Sequence, residues 1–257
     1  MHTAERRDTL LRTIRTRGYL NVAEAADELG VDTSTIRRDL THLEALGVIQ
    51  RSHGGAVPVR DEAEVPLDRK IGLQVAEKRA IAHEVARQIP NDSTVLLDAG
   101  STCLLVAQAL FAHTGLTVVT PDVTIAAELI RRNDVRLILP GGEAVPETTT
   151  VLNQEAVEMV RRMHVDIAVM GADAVDARGA SNLNSVVVPF KRAMIGAAAR
   201  TILAVDNSKL NTRRLISVAG LDELAMLVTD SGCPDSVVAE YPIPVVRTPV
   251  APAGVAS

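Results

Sequence analysis

Tryptophan is absent from this 257-residue chain, and phenylalanine and tyrosine occur only twice each. A core must therefore be built from Ala, Val, Leu and Ile, and a row of aromatic rings on which bases could stack is excluded. Cysteine is nearly absent too. Cys103 and Cys233 stand alone, without redox or metal-ligand spacing, which fits a reducing cytosol. His42, His53, His83, His113 and His164 are scattered, so no metal site is expected, and no cofactor. The opening MHTAERRDTLLR has no apolar signal core, and no run of 18 uninterrupted apolar residues follows. A cytoplasmic protein without a membrane partner is expected. Lysine is scarce as well, 4 against 23 arginines. Arginine suits phosphate and guanine recognition, although a genome-wide composition bias explains the ratio equally well.

What is present describes a globular chain. Hydrophobic residues make up 47% and charged residues 23% of it, enough for one large core or two ordinary ones. The net charge of −5 is uneven: residues 1–60 hold 9 basic and 8 acidic side chains, the remainder 18 and 24. Positive potential near the N-terminus must come from placement rather than from excess.

Three helical patterns fill the first 57 residues. The first runs from Glu5 to Arg17, with Leu10, Leu11 and Ile14 on one side, and ends at Gly18. Asn21 is placed to cap VAEAADEL, with Glu24 three residues on to complete a capping box and Gly30 to close it. Asp32 or Thr33 caps a third helix that reaches about Leu46 and stops at Gly47. Only a tight turn separates the second and third helices, which is helix-turn-helix spacing. On the third, Ile36, Leu40, Leu43 and Leu46 form an apolar stripe, while Ser34, Arg37, Arg38 and Thr41 fall opposite it near the N-terminus. Free N–H groups there favour phosphate oxygens, and short hydroxyls beside long guanidiniums can share base reading and backbone grip. Asp39 adjoins the two arginines and is placed to pair with one of them. Residues 48–57 alternate as a small hairpin carrying Arg51 and His53, with Gly54 and Gly55 allowing close backbone approach. The sum is a DNA grip with a basic wing.

Residues 58–70, including PVRDEAEVP, read as a linker. A helix is expected from about Ile71 to Gln88. Thereafter short apolar runs (TVLLDAG, LTVVT, VRLILPGG, VDIAVMG, TILAVD, LISVAG) alternate with helical stretches, the pattern of a parallel sheet with crossover helices on both faces. The expected fold is a small α+β winged helix-turn-helix domain (1–57) followed by an α/β doubly wound, Rossmann-like parallel-sheet domain (71–245), with a loose tail at 246–257. In the second domain LLDAGSTCLLVAQAL carries a strand through Asp98 and Gly100 into a helix opened by Ser101 and Thr102, a phosphate cradle without a Walker lysine. Thr120-Pro121-Asp122 and Pro140-Gly141-Gly142 end the next strands on the same edge.

TIRRDLTHLEALGVIQRSHGGA resembles the signature of DeoR-type bacterial transcriptional regulators, over about residues 4–57. The resemblance implies DNA contact by Thr33, Ser34, Thr35, Arg37, Arg38, Arg51 and His53. Residues 70–232 are similar to the sensor domain of such regulators, and through it to ribose-5-phosphate isomerases and glucosamine-6-phosphate deaminases. The residues that carry this are K78RAIA, D98AGST, V118VT, G141G, GAD at 171–173, K191RAMI and D206NSK. A phosphorylated sugar is implied as effector, its phosphate held by Gly100, Ser101 and Thr102 with Lys209 as counter-charge, and its hydroxyls faced by Asp98, Asp173 and the Gly141-Gly142 backbone. Pro121-Asp122, Asn153 and Val187 depart from the family pattern, and Asn182 and Asn184 stand near as replacement polar groups. The reading is a sequence-specific repressor, a homo-oligomeric dimer or tetramer on a double-stranded operator, controlled by a sugar phosphate. One alternative is a sugar-phosphate isomerase, since GADAVD resembles an isomerase stretch. Met170 and Lys191-Arg192 stand, however, where that pattern has proton acceptors, so no catalytic residue and no turnover is expected. A DNA-binding protein with a vestigial sensor is the other.

Overall fold

The computed structural model describes residues 3–46, 48–52, 54–58, 67–145 and 148–250. The chain divides into two compact units, Met1–Arg69 and Lys70–Ser257.

In the first unit, α1 (Thr3–Arg17), α2 (Val22–Leu29) and α3 (Thr33–Ala45) surround a core of Leu10, Ile14, Ile36, Leu40 and Leu43. Asn21 caps α2 as its sequence suggests, its side chain accepting from the Ala23 and Glu24 amides, and Gly30 ends the helix at φ 63. A bond from the Glu24 side chain back to Asn21 is not found among the described residues. Asp32 occupies the cap position of α3, but its side chain makes no capping bond. The wing is a three-stranded sheet in the order β1-β3-β2, with β1 Leu20–Asn21, β2 Ile49–Ser52 and β3 Gly55–Pro58. Beyond the expected hairpin, the short strand β1 joins it. Gly55 is required there, because a Cβ would meet the Leu20 carbonyl oxygen at 2.0 Å. Gly47, His53 and residues 59–66 lie outside the described residues.

The expected helix from Ile71 to Gln88 is two helices, α4 (Leu67–Ile71) and α5 (Val75–Arg87), separated by a bend in which Gln74 takes φ 49. Lys78 holds the bend, its Nζ donating to the Lys70 carbonyl at 2.6 Å and to the Leu73 carbonyl at 2.7 Å. The chain then lays down β4 (Thr94–Leu97), α6 (Ser101–Ala109), β5 (Thr117–Val119), α7 (Val123–Leu129), β6 (Arg136–Ile138), a short pair β7 (Glu143–Ala144) and β8 (Val151–Leu152), and α8 (Gln154–Arg161). β9 (Val165–Met170), a hairpin of β10 (Ala174–Asp176) and β11 (Gly179–Asn182), α9 (Val188–Ala197), β12 (Ala198–Ala204), β13 (Ile216–Ala219), β14 (Met226–Asp230) and β15 (Val245–Thr248) complete it.

Seven strands form one parallel sheet in the order β15-β14-β12-β9-β4-β5-β6. Its residues alternate between two helical layers: Val95 and Leu97 join the core with Ile81, Val85 and Val106, while Leu96 joins Ala156, Val160, Phe190 and Met194. LISVAG, expected among these strands, is β13 and pairs instead with β11 in a small antiparallel sheet. β15 places residues 246–248 in the sheet, so an unstructured tail cannot begin at 246. From β4 the chain moves outward through β5 and β6, then returns to the far side of β4 as β9. The reversal between β4 and β9 is the switch point at which such sheets open a crevice at their C-terminal edge.

Candidate functional site

The apolar stripe of α3 fixes which residues face outward. Ile36, Leu40 and Leu43 are buried, and Ser34, Arg37, Arg38 and Thr41 stand exposed. Thr33 and Thr35 are half-buried at the first turn. Asp39 does not pair with Arg37 or Arg38 as its position in the sequence suggested. It lies on the inner side of α3, 1% exposed, and receives Arg6 Nε at 2.6 Å and Arg7 Nε at 2.9 Å from α1. The carboxylate thus locks the scaffold, and among the described residues no acid pairs with Arg37 or Arg38. Two outward guanidiniums at the start of a helix, beside hydroxyls, suit phosphate and base edges.

Arg51, expected to contact DNA from the wing, is also engaged within the unit. Its guanidinium reaches back to α3, donating to the Arg37 carbonyl at 3.3 Å and the Thr41 hydroxyl at 3.2 Å, and its Nε is buried without a partner. The Arg51 amide donates to the Glu44 carboxylate at 3.0 Å. These bonds brace the wing against the outward face of α3.

In the second unit the crevice is built at the C-terminal ends of β4 and β9. Gly100, at φ 112, turns the chain from β4 into α6, so Ser101 and Thr102 open that helix with its free amides. Asp122 braces the turn, accepting from the Gly100 amide at 3.1 Å and the Thr149 hydroxyl at 2.6 Å with one oxygen, while the other caps α7 through Thr124 and Ile125. The departure at Pro121-Asp122 is therefore structural. Asn153, another departure, caps α8 by accepting from the Ala156 amide at 2.9 Å. Gly141 takes φ 84 beside open space, whereas a Cβ on Gly142 would meet the Leu152 backbone at 2.3 Å.

Asp98 is engaged within the fold. It is 3% exposed, accepts from the Gly171 amide at 3.0 Å and forms a buried ion pair with Lys191, whose Nζ also donates to the Gly171 carbonyl at 2.9 Å. This knot joins both strands of the switch point to α9. Two residues on, Asp173 stays partly open, accepting from the Leu183 amide at 3.1 Å and lying 3.5 Å from Lys70 Nζ. Burial pushes its carboxyl up, but Lys70, the Leu183 amide, Lys209 and Lys191 outweigh that and hold it below the usual carboxylate range. Burial lowers the Lys78 ammonium to about 8, against the pull of Asp206, with Lys209 and Lys70 adding to the lowering. Lys209 sits in the short 3-10 turn Asn207–Lys209 after β12, capped by Asp206.

All four lysines of the chain therefore converge on this one edge. Sequence reasoning singled out Lys209 and missed Lys70, Lys78 and Lys191 as parts of the site. The available signal was their rarity. Among the described residues no group of three or more His, Cys, Asp or Glu could hold a metal ion, and no helix is long and apolar enough to cross a membrane.

Two family models match the chain, a DeoR-like helix-turn-helix domain over residues 6–61 and the DeoR C terminal sensor domain over residues 73–231. The glycerol-3-phosphate regulon repressor of Escherichia coli (strain K12) is 30% identical over 238 residues, 92% of this chain and 94% of the relative. The transcriptional repressor AccR of Agrobacterium fabrum is 32% identical over 233 residues, 90% of each chain. Among solved structures, a ribose 5-phosphate isomerase from Plasmodium falciparum is 15% identical over 52% of each chain, with a TM-score of 0.39. With an exposed arginine face on a helix-turn-helix, a crevice ringed by lysines and matches across nearly its whole length, the chain belongs to the DeoR family of DNA-binding transcriptional regulators.

Proposed function

We propose that the protein is a repressor whose operator affinity is set by a small phosphorylated sugar or polyol bound, without turnover, in the crevice between β4 and β9. The observation that carries the reading is the gathering of Lys70, Lys78, Lys191 and Lys209 at the edge where α6 presents its free amides. Lys78 holds the carbonyls that end α4, Lys191 pairs with Asp98, and Lys70 pairs with Asp173. Lys209, with Lys70 beside its partner Asp173, supplies the positive charge that meets an incoming phosphate, together with Gly100, Ser101 and Thr102. Asp173 and the Gly141-Gly142 backbone face the remainder of the ligand, with Asp98 holding the floor from behind. The relative named for a glycerol-3-phosphate regulon supports a ligand of this class.

Binding without chemistry follows from the carboxylates. Isomerisation of a sugar phosphate needs a carboxylate that takes up a proton readily. Asp98 is occupied by a buried ion pair with Lys191 and by the Gly171 amide, and Asp173 is held below its usual range by the surrounding lysines and the Leu183 amide.

On the DNA side, Thr33, Ser34, Thr35, Arg37 and Arg38 contact the operator, with the wing of Arg51 and His53 alongside. A homo-oligomer presents paired α3 helices to half-sites about one turn, roughly 34 Å, apart. Fluorescence anisotropy of the full chain on a duplex from upstream of its own gene tests the reading, beginning with glycerol 3-phosphate and extending to pentose and hexose phosphates. One of them should change operator affinity roughly 5–150-fold, and Lys209→Ala should abolish the response while leaving DNA binding intact. No response to any at millimolar concentration, or interconversion of any detected by NMR, removes the reading.

A further inference from the structure

Asn182, like Thr150, Thr229 and Thr248, holds a buried side-chain oxygen without a hydrogen-bond partner among the described residues, and of these it is the one placed on the hairpin that follows Asp173. It is the last residue of β11 and is 6% exposed, with its amide oxygen shielded from water. Its neighbour Ser181, equally buried, is fully employed: the hydroxyl donates to the Ala174 carbonyl and accepts from the Arg214 amide at 2.9 Å. Folding seldom tolerates a buried carbonyl without a donor, because an apolar side chain of similar size fills the space without losing a bond to water. Such a group is retained where something else completes it.

The hairpin register shows where Asn182 lies. Ala174 pairs with Ser181, so one step further toward the open end Asp173 stands across from Asn182, and the next amide, that of Leu183, is the one that Asp173 accepts. Asp173 follows two residues after Gly171, which ties Asp98 and Lys191 together. Asn182 is thus beside the crevice, on the β9 side, next to a carboxylate kept ionised by Lys70, Lys209 and Lys191.

We infer that Asn182 is the specificity-determining residue of the sensor, accepting a hydrogen bond from a ligand hydroxyl beside the one taken by Asp173. The inference rests on the anion-sensor reading above and deepens it. Two adjacent acceptors require donors from the ligand, and the surrounding lysines disfavour an ammonium group there. The end of the ligand away from its phosphate is therefore a polyol end with free hydroxyls on neighbouring carbons. A keto, deoxy or O-methyl group in that place leaves the Asn182 carbonyl unpaired in a closed site, which is how polar pockets reject close analogues.

Isothermal titration of the full chain with inorganic phosphate, glycerol 3-phosphate, ribose 5-phosphate and fructose 6-phosphate, in wild type and Asn182→Ala, tests this. Inorganic phosphate should bind both proteins within about twofold. The organic phosphate favoured by wild type should lose roughly tenfold to a hundredfold in the variant, and its deoxy analogue should bind wild type and variant alike. Should Asn182→Ala melt early, the near-isosteric Asn182→Leu supplies the same ratio. An unchanged ratio of organic to inorganic phosphate affinity overturns the inference and leaves the anion-sensor reading standing. A wild type that binds neither phosphate nor any organic phosphate overturns both. A variant weakened equally toward all four ligands makes Asn182 a scaffold residue and also overturns it.

Discussion

The two units treat charge in opposite ways. In the helix-turn-helix unit, Asp39 draws Arg6 and Arg7 inward, and Arg37 and Arg38 project from α3 with no acidic partner among the described residues. In the sensor unit the lysines turn inward: Lys191 is sealed against Asp98, Lys78 against backbone carbonyls, and Lys70 lies against Asp173. A polymer bearing a phosphate at every step is gripped by long, mobile guanidiniums whose counterions it releases. A small anion must be held by groups already fixed in place, since it has little binding energy to spend on arranging them. The outward Arg37 and Arg38 of α3 and the inward lysines of the sensor edge are the residue-level form of that difference.

The comparison breaks first at Lys191. Lys191→Met leaves Asp98 buried without a counter-charge and should cost about 3–5 kcal/mol of folding stability by urea denaturation. A loss under 1 kcal/mol would show that the knot between β4, β9 and α9 is not under electrostatic control. Next is pH. Burial lowers the folded Lys78 ammonium to about 8 from 10.5, so between those values the unfolded chain binds more protons and stability rises with pH. The gain should be on the order of 2–3 kcal/mol between pH 8 and 10.5, and Lys78→Met should flatten that limb of the curve.

On the outward face, Arg37→Ala or Arg38→Ala should each cost about 1–3 kcal/mol of operator affinity, while thermal stability stays within about 0.5 kcal/mol. Equal binding by both variants would move the reading face elsewhere. The smallest effect sharpens the comparison. Because Arg51 is bonded to α3, Arg51→Ala should weaken operator binding by about 1 kcal/mol without the loss of roughly one unit of salt slope that marks a direct phosphate contact. A slope reduced by one would put Arg51 with Arg37 and Arg38.

Local signals in the sequence carried far where one segment decided its own structure. Asn21 and Gly30 bound α2, the stripe of Ile36, Leu40 and Leu43 set the facing of α3, and Gly100 marks the turn into α6. They failed where a distant partner decided. Apolar alternation identifies LISVAG as a strand but not its neighbour, and the pairing with β11 diverts it from the main sheet. The bend between α4 and α5 depends on Lys78 reaching back to two carbonyls. Asp39 pairs with Arg6 rather than with its neighbours in sequence, and Asp98 with Lys191, because those partners lie 33 and 93 positions away. Asn182 could be noticed as a polar residue in the right region, but its unpaired oxygen is a property of packing alone.

The inward placement of the lysines has a practical consequence. Apart from the chain's own α-amino group, every primary amine in the molecule belongs to a single crevice, and Lys70 is about one-quarter exposed while Lys78 and Lys191 are nearly sealed. An amine-directed acylating reagent applied under mild conditions should therefore label this protein at the sensor mouth with little background. Protection of those few sites by a metabolite, read by peptide mass, would footprint occupancy directly, with no need for an operator or a reporter gene.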